Sequence, residues 1–87
     1  MNWVPVKSIN DLPSGRILVS MRCNDGKPYV ETAYMVREIS LGHLCQSFRI
    51  YNRWLNSVKQ TVINSAGKEE LWEIIAYMKF PDAYEGE

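Results

Sequence analysis

This chain has little material for chemistry. It holds one histidine, His43, and two cysteines, Cys23 and Cys45, in 87 residues. No CxxC or HxxxH spacing occurs, so the common zinc-binding patterns are excluded. Neither a metal nor an organic cofactor is expected. Asn24-Asp25-Gly26 is a turn and not a phosphate-cradling glycine loop. No apolar run approaches the roughly 18 residues of a membrane span. The opening Met1-Asn2-Trp3-Val4-Pro5 shows neither a basic start nor a long apolar stretch, so no secretory leader is expected. The compartment this points to is the cytoplasm, where both thiols stay reduced.

Charge is scarce in one sense and uneven in another. Ten bases balance ten acids. Residues 1–38 carry five bases and four acids, and residues 39–68 carry Arg49, Arg53, Lys59 and Lys68 with no acid. Residues 69–87 carry six acids against Lys79 alone. A basic middle and an acidic end can neutralise each other across a fold, or the middle can meet an anionic partner. A balanced total argues against general nucleic-acid affinity, which rests on many cation–phosphate contacts.

What is present is apolar. Hydrophobic residues make up 46% of the chain, including three Trp, five Tyr and two Phe. That supports one packed domain over residues 1–87 and argues against disorder. A domain this small buries only about 60–65% of its unfolded surface, so modest stability is expected.

Trp3-Val4-Pro5-Val6 predicts a short extended piece, with Pro5 suited to a sheet edge. Asp11-Leu12-Pro13-Ser14-Gly15 predicts a turn. Arg16 to Cys23 is the strongest strand, with Ile17, Val19 and Met21 alternating against Leu18 and Ser20. Asn24-Asp25-Gly26-Lys27 predicts a tight hairpin turn. Tyr29 to Arg37 returns antiparallel, with Val30, Thr32, Tyr34 and Val36 as the expected core face.

The next stretch supports two structures. Leu44, Phe48, Tyr51, Leu55, Val58 and Val62 recur at spacings of four and three, a helical seam in a run (43–63) without Gly or Pro. Against it, Thr61-Val62-Ile63 favours strand, and Asn52, Asn56 and Ser57 are poor helix interiors. The helix is preferred, with two further strands as the alternative. After Asn64-Ser65-Ala66-Gly67, a short helical turn is expected through Glu69, Glu70 and Glu73, with acids near its positive end. Trp72 to Phe80 predicts a strand with Trp72, Ile74, Ala76, Met78 and Phe80 on one side, stopped by Pro81; a helix through Met78 is its alternative.

Both ends of the chain match known motifs. Trp3, Val4 and Val6, then Leu12, Pro13 and Gly15, then Ile17, Leu18 and Val19 form one set. Ala76, Tyr77, Met78, Phe80, Pro81, Asp82 and Tyr84 form the other. Together they resemble an uncharacterised family of small phage and prophage proteins, which open on a W-[IV]-x-V motif and close near A-W-M-P-L-P-E-P-Y. Tyr77, Lys79 and Ala83 depart from that ending, and residues 39–70 match nothing in it. The resemblance implies a shared architecture, with both ends as strands of one sheet, and a phage or prophage setting. It implies no catalytic residue.

Candidate sites are few. His43 and Cys45 could converge as a nucleophile pair, but that needs a third group to orient the base. Glu69, Glu70 and Glu73 could pair carboxylates for acid–base work. The constellation that stands out is Phe48, Arg49, Tyr51, Arg53 and Trp54. Interleaved aromatics and arginines suit protein hot spots and stacked bases alike. The expected fold is therefore α+β: a small antiparallel sheet of three or four strands with one main helix packed on it. The expected function is a non-enzymatic phage accessory protein in the host cytoplasm. It would bind a host protein, for example as an inhibitor of a defence component, through Arg49, Tyr51, Arg53 and Trp54. Sequestering a small ligand or nucleotide, or binding nucleic acid, are the alternatives. The oligomeric state is not legible.

Overall fold

The computed structural model describes residues 2–81. They form an almost wholly antiparallel β-structure. Its strands are β1 (Val4–Pro5), β2 (Gly15–Cys23), β3 (Tyr29–Ser40), β4 (His43–Ile50), β5 (Arg53–Leu55), β6 (Lys59–Ile63) and β7 (Glu69–Lys79). One 3-10 turn, Ile9–Asp11, lies between β1 and β2. The strand order is β1-β7-β2-β3-β4-β5, with β6 also pairing β7. β5 and β6 thus sit at opposite ends of the sheet, yet three residues join them. The sheet curls to bring these ends together, and an Arg53 guanidinium N–H donates to the Ile63 carbonyl across the gap. The result is a partly closed barrel.

This corrects the α+β expectation. The main helix over 44–63 does not form; β4, β5 and β6 occupy that stretch. Phe48 and Ile50 are buried and Arg49 between them is exposed, which is the period of a strand. The helical spacing of Leu44 to Val62 is a coincidence of phase. Turns at 51–52 and 56–58 reset the alternation, and six apolar residues then fall three and four apart. The helical turn at Glu69–Glu73 is also absent, because β7 begins at Glu69. Asn64 instead closes a hairpin, its Oδ1 accepting from the Ala66 and Lys68 amides.

The ends of the chain do meet. Val4 pairs Tyr77 and Pro5 pairs Ala76, with β1 as an exposed edge. Asp82 and Tyr84 of the closing motif lie outside the described residues.

The core is the inner face of the curl: Ile17, Val19 and Met21 from β2, Ala33 and Met35 from β3, Phe48 and Ile50 from β4, Leu55, Val62, Trp72 and Ile74. Leu12 and Val6 close one end. In β3 the expected core face is reversed. Ala33 and Met35 point inward because they pair Ile17 and Phe48, while Val30 and Tyr34 face out. β7 contains an irregularity that simple alternation could not show. The β2–β7 register skips Ile75, pairing Ser20 with Ala76 but Met21 with Ile74. Beyond this bulge, Ala76 and Met78 turn to the outer face and Tyr77 turns inward.

Candidate outer-face site

Antiparallel partners share a face, so register alone assembles the site. Arg16 pairs Tyr34, Tyr34 pairs Arg49, and Arg49 pairs Trp54. Phe80 follows Lys79, the partner of Ile17, and lies under the Arg16 guanidinium at 4.7 Å from ring centre to Cζ. The Arg49 guanidinium stands 5.9 Å from the Trp54 ring. The outer face therefore carries a row across β2 to β5, extended by the residue just past β7: Phe80, Arg16, Tyr34, Arg49, Trp54. Aromatic and cation alternate along it without a break.

Cation–π contact places each guanidinium over a ring. The only ion pair among the described residues is Arg22 with Glu73, at 2.9 Å. Arg16 and Arg49 thus have no carboxylate partner among these residues. Tyr34 and Trp54 remain 49% and 54% exposed, well above what packing would leave. Below the row, Leu18 pairs both Met78 and Thr32, giving a half-buried apolar strip. A cleft of about 500 Å³ is lined by Arg16, Thr32, Ala33, Tyr34, Arg49 and Tyr51.

The four expected contact residues divide between the two faces. Arg49 and Trp54 lie in the outer row. Arg53 pairs Ile50 on the inner side and is committed to the Ile63 carbonyl. Tyr51 sits at the β4–β5 turn with φ +57, and its hydroxyl donates to Glu31 Oε1 at 2.8 Å. Its ring meets Trp72 edge-on at 6.0 Å. Both residues brace the fold, and Tyr51, still exposed, also lines the cleft. Arg16, Tyr34 and Phe80 were not singled out in the sequence. Each looks ordinary alone, and only the register brings the three together.

The inner mouth of the barrel holds a polar cluster. Tyr29 Oη and Cys23 Sγ are 3.1 Å apart, and Tyr51 binds Glu31 beside them. Burial, and then the contact with Cys23, pushes the Tyr29 hydroxyl above the ordinary tyrosine range. Burial and the Glu31 hydrogen bond raise Tyr51 in the same direction. Raised values keep both hydroxyls protonated, which suits structural hydrogen bonding and not proton abstraction.

The other candidates do not assemble. His43 and Cys45 share the outer face of β4, both exposed, and the thiol donates to the His43 carbonyl at 4.0 Å and not to its imidazole. Glu73 is held below the usual carboxylate range by Arg22. Glu70 is held low by hydrogen bonds from Asn64 and Trp72. Among the described residues no group of three His, Cys, Asp or Glu side chains could hold a metal ion. Among them, too, no helix is long and apolar enough to cross a membrane. No protein-family model, curated protein or solved structure matches this chain.

Proposed function

We propose that this chain is a non-enzymatic binding protein and that the row Phe80–Arg16–Tyr34–Arg49–Trp54 is its contact surface. The observation that carries this is the row itself. Four neighbouring strands, β2 to β5, each contribute one Arg, Tyr or Trp, the types that dominate protein hot spots, and Phe80 just past β7 adds a further ring. Two exposed rings, Tyr34 and Trp54, the half-buried Phe80 and the strip of Leu18 and Met78 offer apolar area to bury. Two guanidiniums, pre-oriented on rings, offer donors to acidic side chains. The partner is accordingly a protein with an acidic and apolar patch. The resemblance to small phage and prophage proteins makes a host protein the expected partner, met in the host cytoplasm. Occlusion of a defence component would fit a binding module of this size.

One observation favours a second function. The cleft has the volume of a small-molecule site, and Arg16 and Arg49 flank Tyr34 along it. A nucleotide could place phosphate between the guanidiniums and its base on the ring. Nucleotide binding would raise the melting temperature in proportion to saturation. Nucleic-acid binding would show a steep loss with salt.

The test is affinity purification with the wild-type chain and an Arg16→Glu, Arg49→Glu double variant, reading proteins and small molecules in both eluates. Loss of a protein partner from the variant alone, with the melting temperature unchanged, is the expected result. A variant that retains every partner removes the row from the function.

A further inference from the structure

The outer row begins one residue short of Pro81. The β2–β7 ladder stops at the Ile17–Lys79 pair, and Pro81, which has no N–H, cannot extend it. Phe80 precedes that proline, and its ring lies under the Arg16 guanidinium. The residues that follow therefore leave the sheet at the head of the row. They are Asp82-Ala83-Tyr84-Glu85-Gly86-Glu87, with three acids, one aromatic ring and no base.

The row lacks what this segment carries. Arg16 and Arg49 have no carboxylate partner among the described residues. On β3 and β7 the acids of the outer face stand off. Glu73 is bound to Arg22, Glu69 opens β7 at its far end, and Glu38 lies four residues along β3 from Tyr34, about 13 Å away. Reach fits as well. Neighbouring strands lie about 4.8 Å apart, so Arg16 is about 5 Å, Tyr34 about 10 Å and Arg49 about 14 Å across the sheet from Phe80. An extended chain advances about 3.3 Å per residue, which carries Asp82 about 7 Å, Tyr84 about 13 Å and Glu85 about 17 Å from the same point. The surplus, with the length of each arginine side chain, covers the convexity of the outer face. The cleft of about 500 Å³ that Arg16, Tyr34 and Arg49 line has room for one phenol ring.

We infer that the acidic segment 82–87 of the chain itself docks across the row, with Asp82 on Arg16, the Tyr84 ring in the cleft and Glu85 on Arg49. Exposed ion pairs of this kind are weak singly. A segment tethered at Pro81 nevertheless meets the row at an effective concentration in the millimolar range, so weak contacts suffice to hold it. Salt loosens the contact, because exposed pairs are screened. The segment is then the first occupant of the surface assigned above to a partner, and an acidic partner must displace it. That consequence rests on the proposed contact surface. The occupancy itself does not, and is tested without a partner.

The test is nitrogen-15 relaxation on the whole labelled chain. At low salt the order parameters of the Tyr84 and Glu85 amides should exceed about 0.6, and in about 1 M salt, where screening shortens to about 3 Å, they should fall below it. An Asp82→Asn, Glu85→Gln variant should release the segment in the same way and shift the Arg16 and Arg49 Nε–H resonances. Arg49→Glu should release it too. Adding Glu85→Arg to that chain should restore the order, and adding Glu87→Arg should not. All are surface substitutions, and unchanged amide signals from Val19 and Met35 show that each variant is folded. Order parameters below about 0.6 at low salt overturn the inference. So do values indifferent to Arg49→Glu, and so does order that grows with protein concentration, which would assign the segment to a second copy. A free segment leaves the proposed contact surface standing. A partner retained by the Arg16→Glu, Arg49→Glu chain strikes that surface and leaves the docked segment standing.

Discussion

The two faces of one sheet are built by opposite rules. On the inner face Ile17, Val19, Met35, Phe48 and Ile50 are sealed from water, and the polar groups near them are paired. On the outer face the same strands set rings and guanidiniums in alternation and leave them exposed. The inner pattern is what stability needs. The outer one adds little to stability, since exposed cation–π contacts contribute about 0.5–1 kcal/mol. Aromatic and arginine side chains left open across β2 to β5 are what the proposed contact surface rests on.

Substitutions should separate the faces, beginning with the core. Phe48→Ala leaves a cavity where β3, β4 and β5 meet, and should cost about 3–5 kcal/mol in denaturant unfolding. On a domain this small such a loss approaches the whole stability, so a folded Phe48→Ala protein with a near-native midpoint would break the contrast. Arg53→Ala removes the tie from β5 to Ile63 and should cost about 1 kcal/mol by the same measurement. Trp54→Ala is at the very next residue, yet on the outer face. Its unfolding midpoint should move by less than about 1 kcal/mol, while partner affinity falls tenfold or more.

The inner mouth makes a pH prediction of definite sign. Tyr29 and Tyr51 are raised in the folded chain, chiefly by burial. Their contribution is intact below the ordinary tyrosine value of about 10 and is lost as pH rises through the folded values. Absorbance titration should find two tyrosines ionising late, together with alkaline unfolding. On the acid side, Asp11 is held low by the Lys7 and Ser8 amides, and Glu73 by Arg22. That contribution is present above a pH of about 4 and fades as pH falls below it. Asp11→Asn should flatten the acid limb.

The sequence was legible where the local signal is short-range. Arg16–Cys23 alternates cleanly, Asn24-Asp25-Gly26 turns, and Pro5 marks an edge; all three appear in the structure. It misled where turns are not marked by glycine or proline. Tyr51 carries positive φ at the β4–β5 hairpin without being a residue such a turn favours, so 43–63 reads as one helix. The face of β3 was obscured because Val30 and Tyr34 look more like core than Ala33 does. Only their cross-strand partners decide it. The outer row was half legible: Arg49 and Trp54 lie close in sequence, while Arg16, Tyr34 and Phe80 join them through register alone.

The most direct test measures the melting temperature and partner retention together for the Arg16→Glu, Arg49→Glu chain. An unchanged melt with the partner lost is what an outer face built for binding predicts. An unchanged partner set, or a melt that collapses as it would for a core substitution, would contradict it.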